Sequence, residues 1–159
     1  MREKTNPENN DYSYPIRIDR EGQWYHEGSR IARPAMVRLF ASVLKRDKNG
    51  RYWLETPAEK GLIEVEDAPF VVRDMHVKNE TQGQIITFTT NLDETIELGP
   101  SHALFFQEDI PYVYVRDEIP ARIGRAVFFR LAEMAANADK QDGRHGLVSK
   151  GAFYPLEGE

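Results

Sequence analysis

Two stretches decide how this fold is read: QWYHEGSRIARPAMVRLF at residues 23–40 and PYVYVRDEIPARIGRAVFF at residues 111–129. Each opens with an aromatic run of strand-forming residues and passes through a short linker containing Ile31 or Ile119. Each then continues with apolar residues at helical spacing, carrying RLF or VFF. In the first, Pro34 stands where a first helical residue would, and its fixed φ suits that position. Met36, Leu39, Phe40, Val43 and Leu44 follow as one stripe, with Arg38 and Lys45 opposite. In the second, the spacing predicts a helix from Ile119 to about Ala138, with Ile123, Ala126, Val127, Leu131 and Met134 as its stripe. The shared order of features points to an internal duplication.

Outward from these stretches the chain reads as strands. YPIRI (14–18) and QWYHE (23–27) flank a turn at Arg20, Glu21 and Gly22, a hairpin signature. Asn49 and Gly50 stop the first helix, and RYWLE (51–55) resumes as a strand. LIEVE (62–66) alternates with Ile63 and Val65 inward and Glu64 and Glu66 outward. FVVRDMHV (70–77) and QIITFTT (84–90) form a second hairpin, TIELG and YVYVR supply further strands, and GLVSKGAFYPL (146–156) closes the chain. The expected fold class is α+β: two similar small halves, each a curved antiparallel sheet with one helix. The expected organisation is a flexible polar tail at 1–13, an N-terminal half at 14–78 and a C-terminal half at 79–159.

Composition narrows the function classes. A chain of 159 residues fits one domain or two very small ones. It contains no cysteine, which removes thiol catalysis, cysteine zinc sites and disulfides, and fits a cytoplasmic setting. A formal charge of −5 argues against general nucleic-acid binding, which needs Lys and Arg to neutralise phosphates. The apolar runs, such as ALFF and AVFF, are far shorter than the ~20 residues of a membrane span, so no membrane partner is expected. The opening MREKTNPENNDY lacks the apolar core of a signal peptide. No P-loop, G-x-G-x-x-G, G-x-S-x-G or calcium-loop pattern occurs, and the four histidines have no metal-ligand spacing. No cofactor or metal is expected.

The long pattern W-x-H-x-G…RLF…TP-x-EK…VEDAPF, together with NLDETIELGPSH and PYVYVRDEIPARIGRAVFFRLAEMA, resembles the bacterial family called domain of unknown function 1285. The resemblance runs from about residue 14 to residue 156. It implies a repeated α+β motif whose C-terminal half is loosely pleckstrin-homology-like. It also implies a role in signal transduction and a nucleotide-like ligand between the halves, with no enzymatic activity attached.

The chemical candidates follow from the residues. LETPAEKGLIEVEDAPF (54–70) reads first as a half-buried strand with a solvated acidic face; Lys60 is its one candidate ligand contact, for a phosphate or carboxylate. On a helical wheel Arg122, Arg125 and Phe129 share a face able to hold an anion and a flat ring, because a guanidinium both stacks and binds oxyanions. Arg130 falls in the apolar stripe and calls for an ion pair or an escape to the rim. Arg33 precedes the first helix, whose N–H groups can hold an anion. His26 and His102 lie inside the family-like motifs. Three readings stay open. The leading one is a non-catalytic binding or regulatory module holding a small anionic, nucleotide-like ligand through Arg33, Lys60, His102, Arg122 and Arg125. The second is a hydrolase-like enzyme using Glu66 or Asp67 with His26 or His102. The third is a protein-interaction module with a protein partner.

Overall fold

The structure, a computed structural model, describes residues 3–6 and 11–157. The chain divides into two compact units, residues 1–69 and 70–159. The first contains β1 (Glu3–Asn6), β2 (Asp11–Ile18), β3 (Trp24–His26), β4 (Ser29–Arg30), α1 (Pro34–Ser42), β5 (Leu44–Arg46), β6 (Tyr52–Glu55) and β7 (Lys60–Val65). The second contains β8 (Phe70–Glu80), β9 (Gly83–Thr90), β10 (Thr95–Glu97), β11 (Leu104–Gln107), β12 (Ile110–Arg116), β13 (Ile119–Ile123), α2 (Arg125–Ala136), β14 (Gly146–Ser149) and β15 (Ala152–Pro155). The division falls after Pro69, whereas the boundary expected at 78 lies inside β8. Within the expected tail, residues 3–6 pair with the start of β2, and residues 1, 2 and 7–10 lie outside the described residues.

The two units share one sheet topology. The strand orders are β4-β3-β2-β7-β6-β5, with β1 added on β2, and β10-β9-β8-β13-β12-β11. Each sheet is thus a pair of three-stranded meanders joined along one parallel pair, β2 with β7 and β8 with β13. The α+β duplication stands, with the sheets mixed rather than purely antiparallel. The two stretches that suggested it are strand–strand–helix units in both cases, β3-β4-α1 and β12-β13-α2. They occupy different places: the second and third strands of one repeat, the fifth and sixth of the other. The repeat therefore lies in the order of the strands and not in those segments.

One turn chemistry recurs and explains why the meanders close where they do. In DREGQWY (19–25) the Asp19 carboxylate accepts the N–H groups of Glu21 and Gln23 and the Tyr25 hydroxyl. In DKNGRYW (47–53) the Asp47 carboxylate accepts the N–H groups of Asn49 and Arg51, the Arg51 side chain and the Trp53 indole. Thr90 plays the same part for Leu92 and Glu94 through its hydroxyl. The fourth residue of each turn, Gly22, Gly50 or Asp93, has a positive φ (79°, 81° and 64°), the left-handed bulge that ends a three-residue hairpin loop. Burial opposes ionisation of Asp47, but the donors from Trp53, Arg51 and Asn49 outweigh it and hold the carboxyl at about 2, below its ordinary 3.8. A depressed folded-state value contributes stability that is present above pH ~4 and lost as pH falls toward ~2. Asp47→Asn is therefore expected to flatten the acid limb of the stability curve measured by urea unfolding between about pH 5 and pH 2; an unchanged slope would contradict this.

The cores follow the period-two pattern. Ile16 and Ile18 of β2 are buried with Trp24, and Ile63 of β7 lies on the same side; Arg17, Tyr25 and Glu64 lie opposite. The helices depart from expectation. α1 buries only Val37 and Ala41, leaving Met36 and Leu39 exposed at 40% and 65%. α2 starts at Arg125, because Ile119, Ala121 and Ile123 form a strand paired with β12 and β8 and are buried on one face. Gly124 forms the junction: its N–H donates to the Val72 carbonyl at 3.0 Å, and a Cβ there would stand 2.8 Å from that oxygen. Arg130 does form an ion pair, with Asp74 at 3.3 Å, but an exposed one.

Candidate functional site

The β3–β4–α1 corner of the first unit encloses a groove of about 540 Å³, lined by His26, Ser29, Arg30, Ile31, Ala32, Arg33, Met36 and Phe40. Its walls follow from local chain chemistry. Glu27 and Gly28, both at positive φ, turn the chain from β3 into the edge strand β4. His26 opposes Ser29 on the sheet face that carries Trp24, while Arg30 opposes Tyr25 on the other face. Residues 31–33 then lead into α1, with Arg33 extended at φ −86° and ψ 112°. Phe40 stacks on the buried Trp24 at 6.3 Å, giving the groove an aromatic wall backed by the core.

The electrostatics favour an anion. α1 has no side-chain cap and no acidic residue in its first turn, so its positive end is not neutralised locally. Arg30, Arg33 and His26 contribute cationic or ionisable groups to the lining. His26 Nε2 is buried with no hydrogen-bond partner among the described residues, and stands 3.9 Å from Glu27 Oε1. The Glu27 carboxylate beside His26 would steer an incoming anion away from that end of the groove and toward Arg33.

The other expected ligand contacts stand elsewhere. Lys60 leaves the outer face of the first sheet, with its ammonium 4.2 Å above the centre of the Trp53 ring, on the side away from Trp24. Arg33 and Lys60 are thus on opposite sides of one sheet. His102, Arg122 and Arg125 belong to residues 70–159. The His102 ring is bonded through Nδ1 to the Tyr114 carbonyl at 3.0 Å, a strand-to-loop tie. Arg122 is a strand residue of β13, paired with Tyr112 and Val71, so the helical face shared by Arg122, Arg125 and Phe129 does not exist. Arg125 and Phe129 are exposed on α2.

Of the acids in the paired-acid reading, Glu66 is engaged elsewhere. Glu66 is bound by the Arg17 guanidinium at 2.7 Å and by the Arg20 N–H at 3.0 Å, on the face away from His26. Among the described residues no group of three or more His, Asp or Glu could hold a metal ion, and no helix is long and apolar enough to cross a membrane. A second groove, about 560 Å³, lies at the β8–β9 tip against Lys150 and Gly151. Its lysine is committed to Glu97 at 2.9 Å, and the bonds from Lys150 and Lys78 hold the Glu97 carboxyl below its ordinary range.

Comparison with known sequences divides the chain within one residue of the structural boundary. Residues 3–68 match the N-terminal domain described as "Domain of unknown function (DUF1285)", and residues 69–156 match the C-terminal domain described as "Protein of unknown function (DUF1285)". The chain belongs to the DUF1285 family. The crystal structure of a DUF1285 family protein from Silicibacter pomeroyi DSS-3 is 39% identical, with a TM-score of 0.79 over 91% of this chain and 80% of that one. A DUF1285 family protein from Shewanella baltica OS155 is 22% identical, with a TM-score of 0.63 over 76% of this chain and 91% of that one, a likeness of fold alone. No curated protein matches the chain. Within the DUF1285 N-terminal domain, the W-x-H-x-G motif supplies Trp24, His26 and Gly28, which are respectively the backing, the lining and the turn of the groove.

Proposed function

We propose that the chain is a non-catalytic binding or regulatory module that captures an anionic group in the groove at the head of α1. A part in signal transduction, which the family resemblance implies, would be exercised through occupancy of that groove. The observation that carries the reading is the lining itself: Arg33 and His26 beside an apolar wall, at a helix start with no acidic residue and no side-chain cap, with Arg30 on the rim where its side chain takes the other face of β4. Of the five residues expected to bind the ligand, Arg33 stays in this proposal and is joined by His26, with Arg30 at the rim on the far face of β4. Lys60, His102, Arg122 and Arg125 have no part in it.

The reading is tested by a thermal-shift screen with nucleotides, sugar phosphates and small dicarboxylates, run on the native chain and on Arg33→Glu. A ligand at 100 times its Kd adds about 2.7 kcal/mol, a shift of several degrees at this size. The expected outcome is a shift with an anion that Arg33→Glu abolishes while its own unliganded Tm stays close to native, since Arg33 is exposed. A shift that survives the charge reversal would remove the groove from the site.

A further inference from the structure

We infer that the groove takes an extended segment of a protein partner, added as a strand to β4, whose side chains alternate between apolar and acidic. This goes beyond the reading of the groove as an anion site: the segment lies along the same groove, and its acidic side chains meet Arg30 on the far face of the edge rather than Arg33 at the head of α1. The first ground is backbone geometry. β4 is the terminal strand of its sheet. The Ile31 N–H donates to the Trp24 carbonyl at 2.8 Å, which makes Ile31 and Trp24 a hydrogen-bonded pair. Such pairs alternate along an antiparallel ladder, so the intervening Tyr25–Arg30 pair is of the other kind, and Arg30 turns its N–H and C=O away from β3. Arg30 and Ala32, the outward-turned positions, both line the groove. The extended backbone at Arg33 carries this edge beyond the two residues of β4 itself. Among the described residues no strand lies beyond β4, and an edge with a groove alongside is the arrangement that accepts a peptide strand.

The second ground is the difference between the two faces of that edge. A strand laid on β4 would send alternate side chains to opposite sides. On the α1 side they meet Phe40, Met36 and Ile31, with Met36 still 40% exposed. On the other side they meet Arg30 beside Tyr25. Arg17, the neighbouring cation on that face, is already matched by Glu66 at 2.7 Å, and among the described residues no ion pair ties down Arg30. Apolar side chains therefore fit one face and acidic ones the other. A second copy docked edge to edge with its two-fold at Arg30 would set Arg30 against Arg30, and any edge-to-edge pairing of two copies would bring two uncompensated arginines to one seam, which like-charge repulsion disfavours.

The test is fluorescence anisotropy with a labelled VEVEVEV peptide, a VVVVEEE peptide of the same composition, and free glutarate as competitor. The proteins are the native chain, Arg30→Glu and Ala32→Pro; the second removes one edge N–H while leaving the β3 ladder intact. The alternating peptide is expected to bind at least about ten-fold tighter than the block peptide and than glutarate, about 1.4 kcal/mol or more. Each variant should weaken it by a similar factor with an unchanged circular dichroism spectrum. Equal affinity for the two peptides overturns the strand-addition inference. Glutarate binding that Arg33→Glu abolishes, with no gain from the peptide, overturns it too and leaves the anion site standing. Absence of binding by peptide and glutarate alike overturns both. Self-association that Arg30→Glu removes would replace the foreign partner by a second copy and overturn the inference as stated.

Discussion

Replacing Trp24 with alanine is expected to destabilise the first unit by about 3–5 kcal/mol, the usual cost of emptying a large aromatic site. Trp24 is 1% exposed, pairs with Ile18 across β2 and β3, and stacks on Phe40 of α1 at an interplanar angle of 17°. It therefore joins the sheet to its helix at the one place where α1 contributes an aromatic ring; the residues that α1 buries, Val37 and Ala41, are aliphatic. The chain's other tryptophan, Trp53, lies in the same unit, so tryptophan fluorescence remains available to follow urea unfolding of the variant. Trp24→Phe should restore roughly half of the loss by keeping the stack. A deficit below about 1 kcal/mol for the alanine variant would show that α1 is held by something other than this contact.

Ser149→Ala is the second large effect, about 2–4 kcal/mol. Ser149 is fully buried; its hydroxyl donates to the Leu98 carbonyl at 2.6 Å and accepts the Ile86 N–H at 2.9 Å. It thus anchors the β14–β15 hairpin to β9 and to the residue following β10. Alanine leaves a buried donor and a buried acceptor without partners, and each orphan costs about 1–3 kcal/mol. The specific readout is amide hydrogen exchange: the Ile86 N–H should lose most of its protection, while Val113 in β12 should change only by the global loss. Retained protection at Ile86 would mean that another acceptor replaces the hydroxyl.

What could be read from the residues, and what could not, has physical causes. Strands with strict alternation, such as 62–66, declared both their type and their inward face, because period two leaves one assignment of sides. Ile119 and Ile123 fit both a strand and a helical stripe, since a four-residue spacing satisfies either period. Gly124 decides between them, through a backbone approach to Val72 visible only in three dimensions. The buried side of α1 departs from its apolar stripe for a related reason. A nine-residue helix can dock through two small contacts, Val37 and Ala41, so its largest apolar residues need not mark its buried side. The repeated D-x-x-G-x-x-aromatic turn at 19–25 and 47–53 is visible in the sequence and marks the hairpins better than Gly22 or Gly50 alone. The groove was half legible. Arg33 declared itself by standing before a helix, whereas Arg30 and His26 join it only because β4 ends the sheet.

The most direct test of the anion-binding groove is an amide-detected NMR titration of the ¹⁵N-labelled chain with glutarate. The account requires saturable shifts confined to residues 26–40, largest at Ile31, Ala32, Arg33 and the first turn of α1, and absent in Arg33→Glu. Saturable shifts centred on residues 99–102 or 122–125 instead, or none at all at millimolar glutarate, would contradict it.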